Sequence, residues 1–443
     1  MVRTVSRSLD FSVVGWLPGS GLTELERATL ASLSIVAGAD RGILTEVEDL
    51  SARTVRGHIN VPAYPIARWL LVNFWRLRWE PWRGEPASDW LESHSMAAID
   101  GAHAWPALDF ASDGDFVQLR LRAEGKADVA AIRYLREVNL EIPVLDFERA
   151  VFAFIDTVEG RVAGTLPGQK ELIELREELV LEREDPKVAA ACRLQAIAGI
   201  DPGAASPEWF GSVASIASEA GPTATDELLA VLPMIPEGLG GLETTVAAMR
   251  GAPTSMRLDW VPAAGTHGSE PAWSRGEELA KSVRAHLSLD GGPLLNARLG
   301  ALLDVQLPLQ RNVSSASPRL SGAYRGASRA TMLVPTANPQ SQRFYLARLI
   351  AAASELQSQR VLPVSKTATA LQKFERAFAA EFLCPWRDLD AFTDECGTDD
   401  DAIAEAAAHF DVSEMLVLSS LVNKGKVHRA RRLGGWCFSN PAS

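Results

Sequence analysis

The stretch "RFYLARLIAAASEL", residues 343–356, has the length and apolar content of a helix, with Phe344, Ile350 and Leu356 as its bulk and alanines that allow close packing. The six residues "ATMLVP", 330–335, read as a short strand leading into it. Downstream, "QKFERAFAAEFLCP", 372–385, is a second helical segment. Upstream, "GEELAKSVRAHLSL", 276–289, reads as an amphipathic helix, and "LLNARLGALLDVQL", 294–307, as another apolar segment.

A zinc peptidase needs two imidazoles pointing the same way, which His at i and i+4 of a helix provides. It also needs a carboxylate beside the first His to take a proton from metal-bound water, and a third ligand from a later element. These needs generate the HExxH pattern and a downstream Glu. Residues 276–425 resemble the ImmA/IrrE family of metallopeptidase-like proteins, which show a segment like RFTLAHELGH and later one like ExxAxxFAAELLMP. Arg343, Phe344, Leu346 and Ala347 keep the first frame, and Phe378, Ala379, Ala380, Glu381 and Pro385 keep the second. The resemblance implies a zincin-like domain whose active members cleave helix-turn-helix repressors in prokaryotic phage, mobile-element or stress-response settings.

The chemistry of that family is missing. Arg348 stands at the first histidine, Leu349 at the catalytic glutamate, Ala352 at the second histidine and Gln372 at the third ligand. Arginine has no lone pair for zinc, Leu and Ala have no donor atoms, and a neutral amide is a poor ligand. The seven histidines (58, 94, 103, 267, 286, 409 and 428) form no replacement HExxH. The expectation is a pseudopeptidase with no catalytic residues, no metal and no cofactor.

The rest of the chain divides by composition. Residues 1–125 hold seven of the twelve tryptophans (16, 69, 75, 79, 82, 90 and 105) and read as a mixed α+β domain. There, "YPIARWLLVNFWRLRW" places Ile66, Leu70, Phe74 and Leu77 at helical spacing, and "DFVQLRLRA" alternates as a half-buried strand. Residues 126–233 read as helical, with charge-rich "GQKELIELREELVLERED" as a solvated face and Thr225-Asp226-Glu227 as a helix start. Residues 234–276 are rich in Gly and Pro and read as a linker, followed by the third domain, 277–443. The predicted fold class is therefore α+β and multidomain, as 443 residues exceed what one core organises.

At 47% hydrophobic and 23% charged residues the chain is globular in composition, and a net charge of −12 argues against broad nucleic-acid binding. Its four cysteines form no CxxC pair and no disulfide framework, favouring a reducing cytoplasm and disfavouring structural zinc. No cleavage pattern opens the sequence and no stretch reaches membrane-spanning length, so a cytoplasmic protein without membrane partners is expected.

The segment "DDDAIAEAAAHFDVSEMLVLSSLVNKGKV", 399–427, has helix-turn-helix cadence, with Ser413 as N-cap and a stop at Gly425. Lys424, Lys426, Arg429, Arg431 and Arg432 follow as candidate phosphate contacts, while 388–405 carries eight acids and no base. That acidic run either repels DNA or serves the tail as an internal counter-ion. His94 and His103, near Asp89, Glu92, Asp100 and Asp109, raise the alternative of an enzyme site in the first domain, although nine residues fit no helical ligand pair. The expected function is a regulatory or defence-associated protein that binds another protein, such as a helix-turn-helix repressor or a defence component. The alternatives are a DNA-binding regulator using 399–432 and an enzyme with its site in the N-terminal domain.

Overall fold

The computed structural model describes residues 4–6, 8–19, 23–38, 42–84, 88–99, 103–122, 132–163, 169–265, 270–289, 291–312, 319–428, 432–433 and 436–437. It is a mixed α+β structure of two compact units, Arg3–Ala204 and Ala205–Ser443 with the first two residues. Among the described residues no helix is long and apolar enough to cross a membrane.

In the first unit, strands Leu9–Trp16, Leu30–Ala37, Gly42–Ile43 and Ile59–Pro62 form one antiparallel sheet. A second sheet runs Thr4–Val5, Val138–Pro143, Phe116–Leu121, Leu108–Ser112, parallel only at its first pair. Ile66, Leu70, Phe74 and Leu77 are all buried, on helices Ala63–Val72 and Phe74–Trp79, which meet at Asn73. They join Phe11, Phe110, Phe147 and Phe154 in one core that runs on to Cys192 and Ala196. That continuity corrects the expected boundary at 125. Helix Val144–Val162 packs on strand Leu9–Trp16, and helix Pro186–Ile197 packs on helix Phe74–Trp79, so the two stretches share a core. Strand Phe116–Leu121 is also more buried than its alternation implies. Gln118 bonds Asn139, and Arg120 lies 4.4 Å over the Trp82 ring, so its polar face is covered too.

The second unit is built on an antiparallel sheet ordered Thr254–Arg257, Arg329–Met332, Leu320–Arg325, Val361–Ser365. The expected linker at 234–276 is therefore part of this unit. It contains helix Gly238–Arg250, whose Leu242 and Met249 are fully buried, and the edge strand that carries Met256. Its glycines mimic a loop in composition, and each weakens a helix by about 1 kcal/mol relative to alanine, a cost that burial against the sheet offsets. Helix Pro222–Val231 begins three residues before Thr225, which leaves Thr225 and Glu227 in its buried interior rather than at its start.

Helix Pro339–Glu355, the element read first, is buried from Gln342 to Ser354 except for Phe344, which is half-buried. Asn338 caps it, accepting from the Ser341 amide at 2.9 Å. Helix Ala370–Leu383 packs against it and against helix Ala272–His286. A Cβ on Gly276 would stand 2.3 Å from the Phe374 carbonyl oxygen, so glycine sets the approach of the last pair.

Candidate functional site

The four positions at which the family motif would hold its chemistry fall on two of these helices. Arg348, Leu349 and Ala352 lie on helix Pro339–Glu355, with Arg348 and Ala352 one turn apart, and Gln372 lies in the first turn of helix Ala370–Leu383. All four are buried. Arg348 and Gln372 meet directly, the guanidinium donating to the carboxamide oxygen.

Around this contact the polar groups are densely paired. Arg348 Nη2 also donates to the Ser365 carbonyl at 2.8 Å and stands 3.1 Å from Glu375 Oε2, while Nε donates to the same oxygen at 3.2 Å. Gln372 accepts from the Ser365 amide at 2.8 Å and donates to the Pro363 carbonyl at 3.1 Å and to Glu375 Oε1 at 3.3 Å. Thr369 caps the helix through the Gln372 amide and donates its hydroxyl to Glu227 Oε2 at 2.7 Å. Glu227 also interacts with Gln372. Leu349 and Ala352 are fully buried and carry no polar side-chain atom.

Sequence reasoning did not single out Glu375, and it read Glu227 only as part of a helix start. Both are buried, and burial raises the Glu375 carboxyl to about 8 against the pull of Arg348, and Glu227 to about 7 against its hydrogen bonds to Thr369 and Gln372. The signal available was an acid inside an apolar run, as in "DELLAVL" for Glu227. Such acids are paired or protonated when the run is a core helix. The cluster is two carboxylates, one guanidinium and one amide sealed between helices. The two carboxyl groups are its only ordinary zinc donors, and the guanidinium and the amide nitrogen beside them only donate hydrogen bonds. Among the described residues no group of three or more His, Cys, Asp or Glu side chains could hold a metal ion.

The other candidates separate in space. His94 is fully buried, stacked on Trp90 with ring centroids 4.2 Å apart, and its Nε2 lies 3.6 Å from Glu80 Oε2. Glu80 is held by Arg76 at 2.6 Å and by Arg83. His103 instead faces Glu26 at 3.3 Å, so the two histidines serve different neighbours. Burial lowers His94 to about 4, which keeps the ring neutral beside a carboxylate already neutralised by arginines. Asp109 bonds Ser95 at 2.7 Å, and the side chains of Asp89 and Glu92 have no place in either group. Asp100 lies outside the described residues.

Helices Asp400–Phe410 and Glu414–Asn423 form the expected pair, with Ser413 accepting from the Leu416 amide at 3.2 Å and Asp411 in the left-handed region at φ 51°. The second helix buries Leu416, Val417, Leu418, Leu421 and Val422 and carries no basic residue. Lys426 contacts Asp390 at 2.6 Å and Asp394 at 2.7 Å, and Lys424 contacts Glu277 at 2.7 Å. Both lysines thus answer acids of their own unit. Arg429 and Arg431 lie outside the described residues, and of Arg432 only the backbone, in strand Arg432–Leu433, is described.

No family model, no curated protein and no solved structure matches this chain.

Proposed function

We propose that this chain is a non-catalytic regulatory or defence-associated protein that acts by binding another protein, on an ImmA/IrrE-like scaffold with a zincin-like second unit. The observation that carries the reading is Arg348. It stands where the motif would place its first ligand, it bonds the residue at the third-ligand position, and it ion-pairs with Glu375. A guanidinium fixed there repels a divalent cation and occupies the space of a hydrolytic water. What remains of such a scaffold is its surface and its helix pair, which suit recognition of a helix-turn-helix repressor or a defence component. The DNA-binding alternative loses support from the all-apolar burial and absent basic residues of helix Glu414–Asn423, and from the internal pairing of Lys424 and Lys426.

Co-purification of the tagged full-length chain from its native cells tests the reading. Recovery of an intact helix-turn-helix repressor or defence protein in fixed ratio is the expected result. Chelator-sensitive cleavage of that partner would overturn it, as would DNA binding that survives about 0.2 M salt, where phosphate-driven affinity has fallen steeply.

A further inference from the structure

The basic run that begins at Lys424 starts with two lysines turned back onto their own unit. The run holds Lys424, Lys426, Arg429, Arg431 and Arg432 with no acid between them, and the side chains of the two lysines lie within the described residues. Helix Glu414–Asn423 ends at Lys424, followed by Gly425 in the left-handed region at φ 79°. The Lys426 amide donates back to the Leu421 carbonyl at 2.9 Å, and Val427 is buried. The side chain of Lys426 lies against helix Trp386–Cys396. Its Nζ meets Asp390 Oδ1 at 2.6 Å and Asp394 Oδ1 at 2.7 Å. The Asp390 carbonyl and the Thr393 hydroxyl stand at 3.2 Å each. An ammonium has three N–H donors, so these acceptors exhaust it. Lys424 Nζ meets Glu277 at 2.7 Å, and the two ammonium groups lie 6.0 and 5.9 Å from the centre of the Trp386 ring. The lysine side chains are accordingly only 29% and 25% exposed.

An isolated exposed ion pair contributes little, whereas a network that fixes one charge from several sides counts for more. Here three acids, two further acceptors and one indole act on two ammonium groups, and the contacts tie the end of helix Glu414–Asn423 to helices Ala272–His286 and Trp386–Cys396. We propose that this is an autoinhibitory contact: Glu277 and helix Trp386–Cys396 occupy the first two cations of the run, which released would engage the phosphate backbone of duplex DNA. Closely spaced phosphates fit a run of five cations. A lipid surface fits it less well, because residues 424–432 contain no Trp, Tyr or Phe and their one large aliphatic residue, Val427, is buried. The inference goes beyond the protein-binding reading and is independent of it: a chain that retains no partner protein can still mask these lysines.

Fluorescence anisotropy with a duplex DNA of arbitrary sequence tests this on the full-length chain. The double variant Asp390→Asn, Asp394→Asn should bind about tenfold more tightly than the wild type at about 0.05 M salt, with a salt dependence steeper by about one phosphate contact. Adding Lys426→Met to it should abolish the gain. The control pair Glu395→Gln, Asp401→Asn removes the same charge from exposed acids of the same region and should gain clearly less. A second measurement needs no variant. Lys426 of the wild type should be acylated more slowly than the exposed Lys366, with the gap narrowing as salt is raised. Equal gains in the two acid pairs would overturn the proposal, as would a gain that survives Lys426→Met. Labelling of wild-type Lys426 as fast as Lys366 overturns it even if the variants fail to fold. So does release that yields binding to anionic vesicles and none to the duplex.

Discussion

Arg348 and Gln372, 24 residues apart and on different helices, are joined by a buried hydrogen bond from guanidinium to carboxamide. These are the two positions at which the peptidase resemblance would set a first and a third metal ligand. Arg348 also stands 3.1 Å from the carboxyl of Glu375, which is fully buried.

Arg348→Ala should accordingly destabilise the second unit by about 1–3 kcal/mol, because it leaves the buried acceptors of Ser365, Gln372 and Glu375 without their common donor. Arg348→Met combined with Glu375→Gln should cost clearly less than the sum of the two single changes. Urea unfolding of the four proteins in a double-mutant cycle checks this, and strict additivity would show that the two side chains do not interact.

Metal analysis of the purified chain, soaked in millimolar zinc, should find none bound at these positions. The quadruple variant Arg348→His, Leu349→Glu, Ala352→His, Gln372→Glu should gain zinc, since it restores two imidazoles one turn apart and an acid on the facing helix. One equivalent of zinc on the parent that disappears in Gln372→Ala would refute the reading of the site.

Gly276→Ala tests the helix crossing. The added Cβ meets the Phe374 carbonyl oxygen at 2.3 Å, and a backbone atom cannot rotate away. Moving the helices apart should cost about 1–3 kcal/mol, read as a lowered unfolding midpoint. An unchanged midpoint would mean that helices Ala272–His286 and Ala370–Leu383 are not in this close contact.

The first unit should weaken in mild acid. His94 is buried with a folded value of about 4 against an ordinary 6.5, so the unfolded chain binds the proton first. Stability tied to this group is present above about pH 6.5 and is lost as pH falls toward about pH 4. Urea midpoints measured from pH 7 to pH 4 should decline for the wild type and less steeply for His94→Gln. Equal slopes would show that His94 does not carry this part of the acid response.

Much of the local structure was legible from pattern. The spacing of Ile66, Leu70, Phe74 and Leu77 marked a buried helical run, and Ser413 and Gly425 marked the ends of helix Glu414–Asn423 with its cap and stop. These signals are local: a period of 3.6 and a capping hydroxyl act within a few residues. The stretch 234–276 misled because glycine content reports backbone freedom, not what a helix packs against. Thr225 and Glu227 misled because a polar run beside an apolar one resembles a cap until its burial is known.

By itself the sequence determined which positions are unfit for zinc, since Arg348, Leu349 and Ala352 have no lone pair to offer wherever they lie and the Gln372 amide is a poor ligand. Only the tertiary structure decided what Arg348 and Gln372 contact. It brought Gln372 and Glu375 from one helix, Arg348 from another and Glu227 from a third into one buried cluster. It likewise gave Lys426 to Asp390 and Asp394 instead of a phosphate. The reason is physical: composition fixes what each group can donate or accept, but a charge acquires its partner and its dielectric only when distant segments close around it.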